Sequence, residues 1–462
     1  NLLDLLALIV NAAIFYTESQ RLIPQLYARE WVAAVALSLS AFYTLHVFYF
    51  LWRRLIDRDL LVCFMGLAAF FLSVTMPILL SPEWITASWA LQALVLMWIA
   101  GKLGSQFLRH VSYLLYALVL FRFGFLDLPR QFGRSGGAEA LAMADYVRLL
   151  VERVVMFGIP IGSIAGAAKL LSRSAAAEGL LGRENDTPEW FSGASVLRLG
   201  VGVVLAMSFL YLHLEFNRSI DYFYAPLRLP VLTLLWLGMC GLLLYETIVR
   251  ESRVVLTLLL VFLGGLFIKL IAFDLPSWSM TPEFLYGGAY SFRDAGLRLL
   301  DFGAVVAFLA AAYSMATKGV RVQQTRTLFG GAAVATLFAY LTLEVNTFLG
   351  YYKPGFRAGG VSILWSLFAL ALLIRGIRRN IRGLRYVGLV LFSIVAWKVF
   401  FVDLATLDDF WRIVAFIILG VLVLCGSFLY LRYRETFAAN AEVTTEERED
   451  AEELAERAGE DA

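Results

Sequence analysis

The chain of 462 residues is 60% hydrophobic and only 16% charged, and its formal net charge is +2. A soluble globular domain carries about 25% charged residues, and it has no core large enough to bury apolar runs of about 20 residues that recur along the whole chain. The composition therefore excludes a soluble globular protein and predicts an all-α protein that crosses a membrane many times.

Apolar runs long enough to cross a bilayer predict about fourteen membrane-spanning helices. Short turns that contain Gly, Pro or Arg separate most of them, and longer polar insertions occur at 130–147, 173–194 and 276–296. The chain starts inside an apolar run and without Met, so it is expected to continue an earlier segment or to start at the first ordered residue. The spans are expected near 2–18, 30–52, 59–80, 84–101, 106–126, 148–171, 195–216, 229–249, 254–273, 297–317, 327–349, 359–376, 384–402 and 412–431.

Lys and Arg concentrate in the loops that follow even-numbered spans, with the richest group at Arg375, Arg378, Arg379 and Arg382. Loops on the other side hold fewer basic residues and more Trp, Tyr and Pro. Because cytoplasmic loops of membrane proteins are enriched in Lys and Arg, the even-numbered spans are expected to end in the cytoplasm. The acidic tail at 435–462 is expected on the same side, as a solvated segment or as a docking segment for a partner.

Three segments share a pattern in which a Trp is followed by a basic residue and then by Asp-Leu. In every copy the Trp precedes the basic residue by 33 positions, and the basic residue precedes the Asp by five. Gap-free agreement of rare residues inside apolar sequence indicates an internal repeat. The copies are Trp89, Arg122 and Asp127; Trp236, Lys269 and Asp274; and Trp365, Lys398 and Asp403.

The last two copies agree over a longer stretch. In each, a Glu-x-Asn pair begins 21 residues before the Trp and an Arg follows it, whereas the first copy has Ala68 in place of the Glu. An Arg-x-x-x-Phe pattern follows the Asp in all three copies. The residues are Glu215, Asn217 and Arg228; Glu344, Asn346 and Arg357; and, after the Asp of each copy, Arg153, Arg298 and Arg412.

Each repeat contains four spans, and an even number of spans preserves orientation. The repeats are therefore expected to be parallel and to pack around an axis along the membrane normal. The predicted architecture is a transmembrane helical bundle with two N-terminal spans at 1–58, interpreted as the remnant of an earlier unit, repeat units at 59–172, 195–317 and 327–434, and an acidic cytoplasmic tail at 435–462.

This orientation places the recurring charges at the outer boundary of the membrane. They are interpreted either as a structural network of ion pairs or as a network in which at least one unit binds a ligand or handles protons, because charges inside a membrane are costly and commonly functional. Five residues correspond to about 140° around an ideal helix, so Lys398 and Asp403 are not expected to share a face. Partners are expected from neighbouring helices, with Asp274 near Arg298 or Lys269 and Asp403 near Arg412 or Lys398.

The sequence offers little for catalysis or metal binding. Cys63, Cys240 and Cys425 each lie inside an apolar run, and the three His residues lie on different predicted helices. Neither a disulfide framework nor a metal or cofactor site is predicted. Walker A, G-x-S-x-G and HExxH motifs are absent, and no nucleic-acid-binding module is recognisable.

Several segments resemble a bacterial family of predicted membrane proteins, the domain-of-unknown-function 2339 family (DUF2339). The matching segments are "WITASWALQALVLMWIAGKL", "FLYLHLEFN", "FAYLTLEVN" and, most specifically, "LRYVGLVLFSIVAWKVFFVDLATLDDFWRIVAFIILGVLVLCGSFLYLRYRE". The resemblance extends over most of the chain and implies a bacterial inner-membrane protein. Members of the family are often longer at the N-terminus. The resemblance carries over no catalytic residue.

The sequence favours a non-enzymatic protein that transports or binds an envelope-related solute or a lipid-linked molecule at its outer face. Two alternatives stay open: a structural or assembly component of an envelope membrane complex, and a glycosyltransferase-like enzyme that modifies the envelope. The expected partners are membrane lipids and either another membrane protein or a second copy of the chain. Nucleic acid is not expected as a partner.

Overall fold

Long helices account for most of the computed structural model, which describes residues 2–28, 30–53, 58–133, 142–177, 193–316, 325–399 and 409–432. No strand occurs among these residues, so the prediction of an all-α fold is confirmed. Each predicted span coincides with a helix of at least 17 residues. The helices are α1 (Leu2–Leu26), α2 (Glu30–Trp52), α3 (Arg58–Leu79), α4 (Ile85–Leu103), α5 (Gln106–Arg122), α6 (Met143–Ala177), α7 (Gly193–Tyr224), α8 (Arg228–Arg250), α9 (Arg253–Lys269), α10 (Phe292–Met315), α11 (Arg326–Tyr352), α12 (Arg357–Arg378), α13 (Arg382–Lys398) and α14 (Asp409–Arg432).

Ten segments in the described part of the chain are long and apolar enough to cross a membrane. One of them, Leu197–Arg250, contains most of α7 and all of α8. The chain is therefore a polytopic helical membrane protein, while the count of about fourteen spans stays a prediction.

The chain divides into two compact units, unit 1 (Asn1–Ala225) and unit 2 (Pro226–Ala462). In unit 1, α4 packs against α5 and α6, and α6 packs against α7. In unit 2, α8 packs against α9 and α10, α10 against α11, and α12 against α13 and α14. The helix that carries the Trp therefore contacts the two helices that follow it in every copy. Repeated four-helix units are expected to share such a contact pattern. The boundaries of the repeats stay a prediction.

Helix α9 shows how a span divides its surface between the protein interior and the membrane. Leu259 and Leu266 are fully buried, whereas Val261 and Ile268 each expose more than 60% of their surface. An apolar stripe that faces the core and an equally apolar outer face are expected of a helix surrounded by lipid. The same distribution recurs on the other long helices, which expose many large apolar side chains.

Some features predicted from the sequence fall outside the described residues. Asp403 is one of them, and the acidic tail at 435–462 is another. Arg412 belongs to α14, but its side chain is not described.

Candidate functional site

A turn of π-helix separates the basic residue from the Asp in two copies of the repeat. The π-helical turns are Phe123–Asp127 and Leu270–Asp274, and each begins directly after Arg122 or Lys269. A π-helix pairs residues five apart, as in the hydrogen bond from Leu275 N to Leu270 O. Residues at this spacing therefore lie one above the other. The α-helical angle of about 140° between residues five apart therefore does not apply to Lys269 and Asp274. The expectation that Lys398 and Asp403 do not share a face stays a prediction, because Asp403 lies outside the described residues.

Lys269 and Asp274 form a buried ion pair with Nζ and Oδ2 2.6 Å apart. The ammonium also donates to Thr233 Oγ1 at 2.7 Å and to Leu229 O at 3.3 Å, both on α8. The predicted proximity of Asp274 to Lys269 is thus observed. Arg298, the other predicted neighbour of Asp274, takes a different partner.

The first copy, and the described residues of the third, show related contacts of the basic side chain. In copy 1, Arg122 donates to Pro82 O at 2.7 Å, and its Nε lies 3.7 Å from Asp127 Oδ1. The hydroxyl of Thr86 donates to Asp127. In copy 3, Lys398 Nζ donates to Ser362 Oγ at 2.6 Å and to Ala358 O at 3.2 Å.

Two groups therefore recur in the copies, and both belong to the segment that carries the Trp. A hydroxyl residue lies three positions before each Trp, and the carbonyl of the residue four positions before the hydroxyl accepts from the basic side chain. This hydroxyl residue is not among the site residues predicted from the sequence. The alignment of the three copies already contained it, as Thr86, Thr233 and Ser362.

The 33-residue spacing from Trp to basic residue also has a physical explanation. The charged group lies over the Trp ring at 6.0 Å for Arg122 and Trp89, and at 5.9 Å for Lys398 and Trp365. Such cation–π contacts favour a cation that is removed from water. In copies 1 and 3 the Trp and the basic residue therefore contact each other across adjacent helices, which accounts for their separation in sequence.

The two Glu residues of the repeat pattern pair with Arg residues rather than with Lys269 or its equivalents. Arg153 on α6 donates to Glu215 on α7 from Nε at 3.0 Å and from Nη2 at 2.7 Å. Arg298 on α10 donates to Glu344 on α11 in the same forked geometry, at 2.8 and 3.0 Å. Each pair joins the last helix of one predicted repeat to the first helix of the next. Planar, double hydrogen bonds of this kind are the strong form of an Arg–carboxylate interaction.

Aromatic rings enclose the guanidinium groups of these pairs. Arg153 lies over Tyr146 at 5.6 Å. Arg298 lies over Tyr286 at 4.3 Å and over Trp278 at 5.2 Å. Tyr290 donates to Glu344 Oε1 at 2.9 Å, and desolvation together with this hydrogen bond raises the pKa of the Tyr290 hydroxyl to about 12. Tyr290 therefore stays a donor throughout the physiological pH range.

The segment 278–291, hereafter the cap loop, precedes α10 and holds three of these aromatic residues, Trp278, Tyr286 and Tyr290. Asn346 donates to the carbonyls of Glu283 and Phe284, at 3.1 and 2.9 Å. Arg357 pairs with the Glu283 carboxylate at 2.6 Å. Gly288 has a left-handed backbone (φ 84°), which glycine adopts at little cost. The Glu-x-Asn pair of copy 3 thus has two roles, because its Glu binds Arg298 and its Asn binds the cap loop.

The last residues of the repeat pattern to be located are Asn217, Arg228 and, in copy 1, Ala68. Asn217 is exposed on α7. Arg228 opens α8 after the short 3-10 turn Ala225–Leu227, as Arg357 opens α12 after Pro354–Phe356. In copy 1, Ala68 stands in place of the Glu, and its carbonyl accepts a hydrogen bond from Ser40 on α2 at 2.8 Å.

A second buried acid, which the sequence did not single out, lies beside the Lys269–Asp274 pair. Asp301 on α10 and Asp274 are both fully buried. Asp301 interacts electrostatically with Asp274 and Lys269. It follows Arg298 by three positions, where the other copies have Met156 and Ala415. This difference between the copies is the feature of the sequence that could have identified Asp301. In the described part of the chain, no group of three or more His, Cys, Asp or Glu residues could hold a metal ion.

A cavity of about 630 Å³ opens beside the cap loop in unit 2. Its walls are mainly apolar, and its polar groups come from α11, α12 and α13. The apolar side chains include those of Leu275, Met280, Phe284, Phe338, Val361 and Trp365, and the polar ones are Thr342, Asn346, Arg357 and Lys398.

Comparison with known proteins yields one family. The family model described as "Predicted membrane protein (DUF2339)" matches residues 4–433, which is most of the chain. No curated protein and no solved structure matches the chain.

Proposed function

We propose that this chain, which belongs to the DUF2339 family of predicted membrane proteins, binds an amphiphilic anion, such as a lipid-linked molecule, in the cavity beside the cap loop. The observation that carries the proposal is the composition of the cavity. Apolar side chains form its walls, and two cationic side chains, Arg357 and Lys398, contribute to its polar lining.

The apolar lining of the cavity suits an acyl or isoprenoid chain better than a small polar solute. Sites for small molecules are usually concave, about 300–1,000 Å³ in volume, and mostly apolar with a few polar groups that orient the ligand. Phe338 and Val361 come from adjacent helices, α11 and α12, and Phe284 comes from the cap loop. An apolar chain in this position would replace contacts with membrane lipid by contacts with protein.

Charge complementarity favours an anionic head group. Arg357 and Lys398 contribute positive charge, and none of the lining residues is acidic. Glu283, which lies outside the lining, accepts one of the five N–H donors of Arg357. An Arg guanidinium recognises phosphate and carboxylate groups with two parallel hydrogen bonds. The Asn346 amide also lines the cavity and can donate to or accept from polar groups of the ligand.

We assign this site to the outer face of a bacterial inner membrane, with the C-terminus in the cytoplasm. The assignment rests on the enrichment of Lys and Arg in the loops on the opposite side. In this orientation a ligand in the outer leaflet would reach the cavity by lateral movement and keep its head group at the interface. Transport of the bound molecule would be a further step beyond binding.

Native mass spectrometry of the purified protein tests the proposal. The protein would be equilibrated with phosphatidylglycerol, which has an anionic phosphate head group, or with phosphatidylcholine, whose head group is zwitterionic. We expect more phosphatidylglycerol to be retained. Ala339→Trp should reduce retention by about tenfold or more, because Ala339 lines the cavity and the indole would occupy the space.

Ala335→Trp is the matched control. Ala335 is exposed one turn earlier on α11 and is not part of the lining. Its side chain tilts toward the N-terminus of the helix, away from the cavity. Equal retention of the two lipids by the unmodified protein, or equal effects of the two Trp variants, would contradict the proposal. Retention lost in Arg357→Ala only for phosphatidylglycerol would support recognition of the head group.

A further inference from the structure

The acids Asp274 and Asp301 meet in the interior of unit 2 next to a single Lys. Both carboxylates are fully buried, and they interact electrostatically with one another. Two carboxylates and one ammonium leave a net negative charge when all three groups are ionised. Burial of uncompensated charge is strongly unfavourable, above all inside a membrane. The cluster therefore requires a further positive charge.

The hydrogen-bond donors around the two acids are already in use. Lys269 has three N–H donors, and they go to Leu229 O, Thr233 Oγ1 and Asp274 Oδ2. The single hydroxyl proton of Thr233 is directed at Leu229 O or Asp274 Oδ2. Asp274 Oδ1 and both carboxylate oxygens of Asp301 accept no hydrogen bond from a described residue. Buried carboxylates normally have such partners.

We infer that Asp274 and Asp301 bind one exchangeable proton between them, so that the cluster is a proton-binding site within the membrane-spanning part of unit 2. A proton on Asp301 supplies the missing charge and lets its hydroxyl donate to the free oxygen of Asp274. The cluster is then neutral and is deprotonated to a single negative charge.

A proton fits the site better than a metal cation. The Lys269 ammonium already occupies the position where the Thr233 hydroxyl, the Leu229 carbonyl and the Asp274 carboxylate converge. A metal cation would lie close to this ammonium and would need several more oxygen ligands. The proton needs only the two neighbouring carboxylates.

The site belongs to copy 2 alone. Met156 stands at the equivalent position in copy 1 and Ala415 in copy 3, so those copies have the basic residue and the Asp without a second acid at that position. Copies 1 and 3 can balance their charges pairwise, whereas copy 2 cannot. The extra acid thus distinguishes a titratable site from a structural ion pair built on the same scaffold.

Polar and ionisable groups from several surrounding elements interact with Asp301 or with its neighbours. Helix α8 contributes Thr233, which does not titrate, and α9 with its π-turn contributes Lys269 and Asp274. The cap loop contributes Tyr286, which interacts with Asp301. The others are Arg298 on α10 itself, and Tyr340 and Glu344 on α11, which interact with Arg298.

Infrared spectroscopy of the protein in lipid nanodiscs tests this inference, because only a protonated carboxyl group has the carboxylic-acid C=O band. We expect the unmodified protein to show this band at neutral pH, shifted by D₂O and by isotope-labelled aspartate. The band should be lost in Asp301→Asn, whose amide resembles the protonated acid in shape and charge. It should persist in Asp294→Asn, a control on the same helix whose carboxylate pairs with Arg293 at the surface.

If Asp301→Asn does not fold, the unmodified protein with isotope-labelled aspartate still tests the inference. An aspartic-acid band that shifts in D₂O supports the inference. Absence of any aspartic-acid band at neutral pH overturns it, as does a band that survives in both Asp301→Asn and Asp274→Asn.

Discussion

The Arg298 guanidinium donates two hydrogen bonds to the Glu344 carboxylate, from Nε to Oε2 at 2.8 Å and from Nη2 to Oε1 at 3.0 Å. Arg153 and Glu215 form the same forked pair in unit 1. In both cases the pair links a helix to the next long helix along the chain, and aromatic rings cover the guanidinium. The pair therefore fixes how two consecutive helices dock.

Glu344→Ala is expected to lower the free energy of unfolding by about 3–5 kcal/mol, because it leaves the Arg298 charge buried without a partner. The double variant Arg298→Met/Glu344→Leu should lose less, since it removes both charges and keeps apolar volume. The thermal midpoint and the folded yield of the purified variants in detergent measure this difference.

Glu246→Ala is the control for this comparison. Glu246 pairs with Arg250 at 2.5 Å on α8, but both side chains are substantially exposed, and pairs of this type contribute about 0–1 kcal/mol. A loss in the double variant that equals the sum of the losses in its component single variants, Arg298→Met and Glu344→Leu, would show that Arg298 and Glu344 are not coupled.

Removal of the hydroxyl at Thr233 should destabilise the protein through the ion pair that it supports. Thr233→Val takes away the acceptor of one Lys269 N–H at 2.7 Å, and a buried donor left without a partner costs about 1–3 kcal/mol. Thr257→Val is the matched control on α9, because its hydroxyl is exposed and bonds to Arg253 O of its own helix. Equal thermal midpoints for the two variants would mean that the hydroxyl does not support the pair.

The sequence spacing between Lys269 and Asp274, which the π-helical turn accommodates, can be tested separately. Insertion of one Ala after Ala272, an exposed residue within Leu270–Asp274, would lengthen the spacing by one residue and should rotate Asp274 by about 100° away from Lys269. We expect a marked loss of folded protein in size-exclusion chromatography. Ala272→Leu keeps the spacing at the same exposed position and should behave like the unmodified protein. An insertion variant with normal yield would show that this spacing is not needed for the fold.

Sequence patterns predicted the helical membrane fold and much of the location of the charged clusters. Apolar runs marked every long helix because a membrane span must be apolar over most of its length. The 33-residue spacing marked residues that contact each other, such as Trp365 and Lys398. The proximity of Lys269 to Asp274 was also predicted, although partners on neighbouring helices were expected to be the main ones.

Other features depend on geometry that a residue pattern does not contain. The π-turn brings Lys269 and Asp274 together, and an insertion of one residue into an α-helix leaves no distinctive composition. The pairing of Arg298 with Glu344 joins two predicted repeats, whereas the partners expected for Arg298 lay within its own repeat. Asp301 is an acid that the copies do not share, so a pattern of shared residues does not include it.

An experimental density map of the protein in nanodiscs that contain phosphatidylglycerol tests the central claim most directly. If the cavity binds an anionic lipid, we expect elongated density for an acyl chain along Phe338 and Val361, and head-group density within hydrogen-bond distance of Arg357. This density should be absent from the map of Ala339→Trp and present in that of Ala335→Trp. A cavity that is empty or filled by the protein's own side chains in all three maps would contradict the proposal that the cavity binds a lipid.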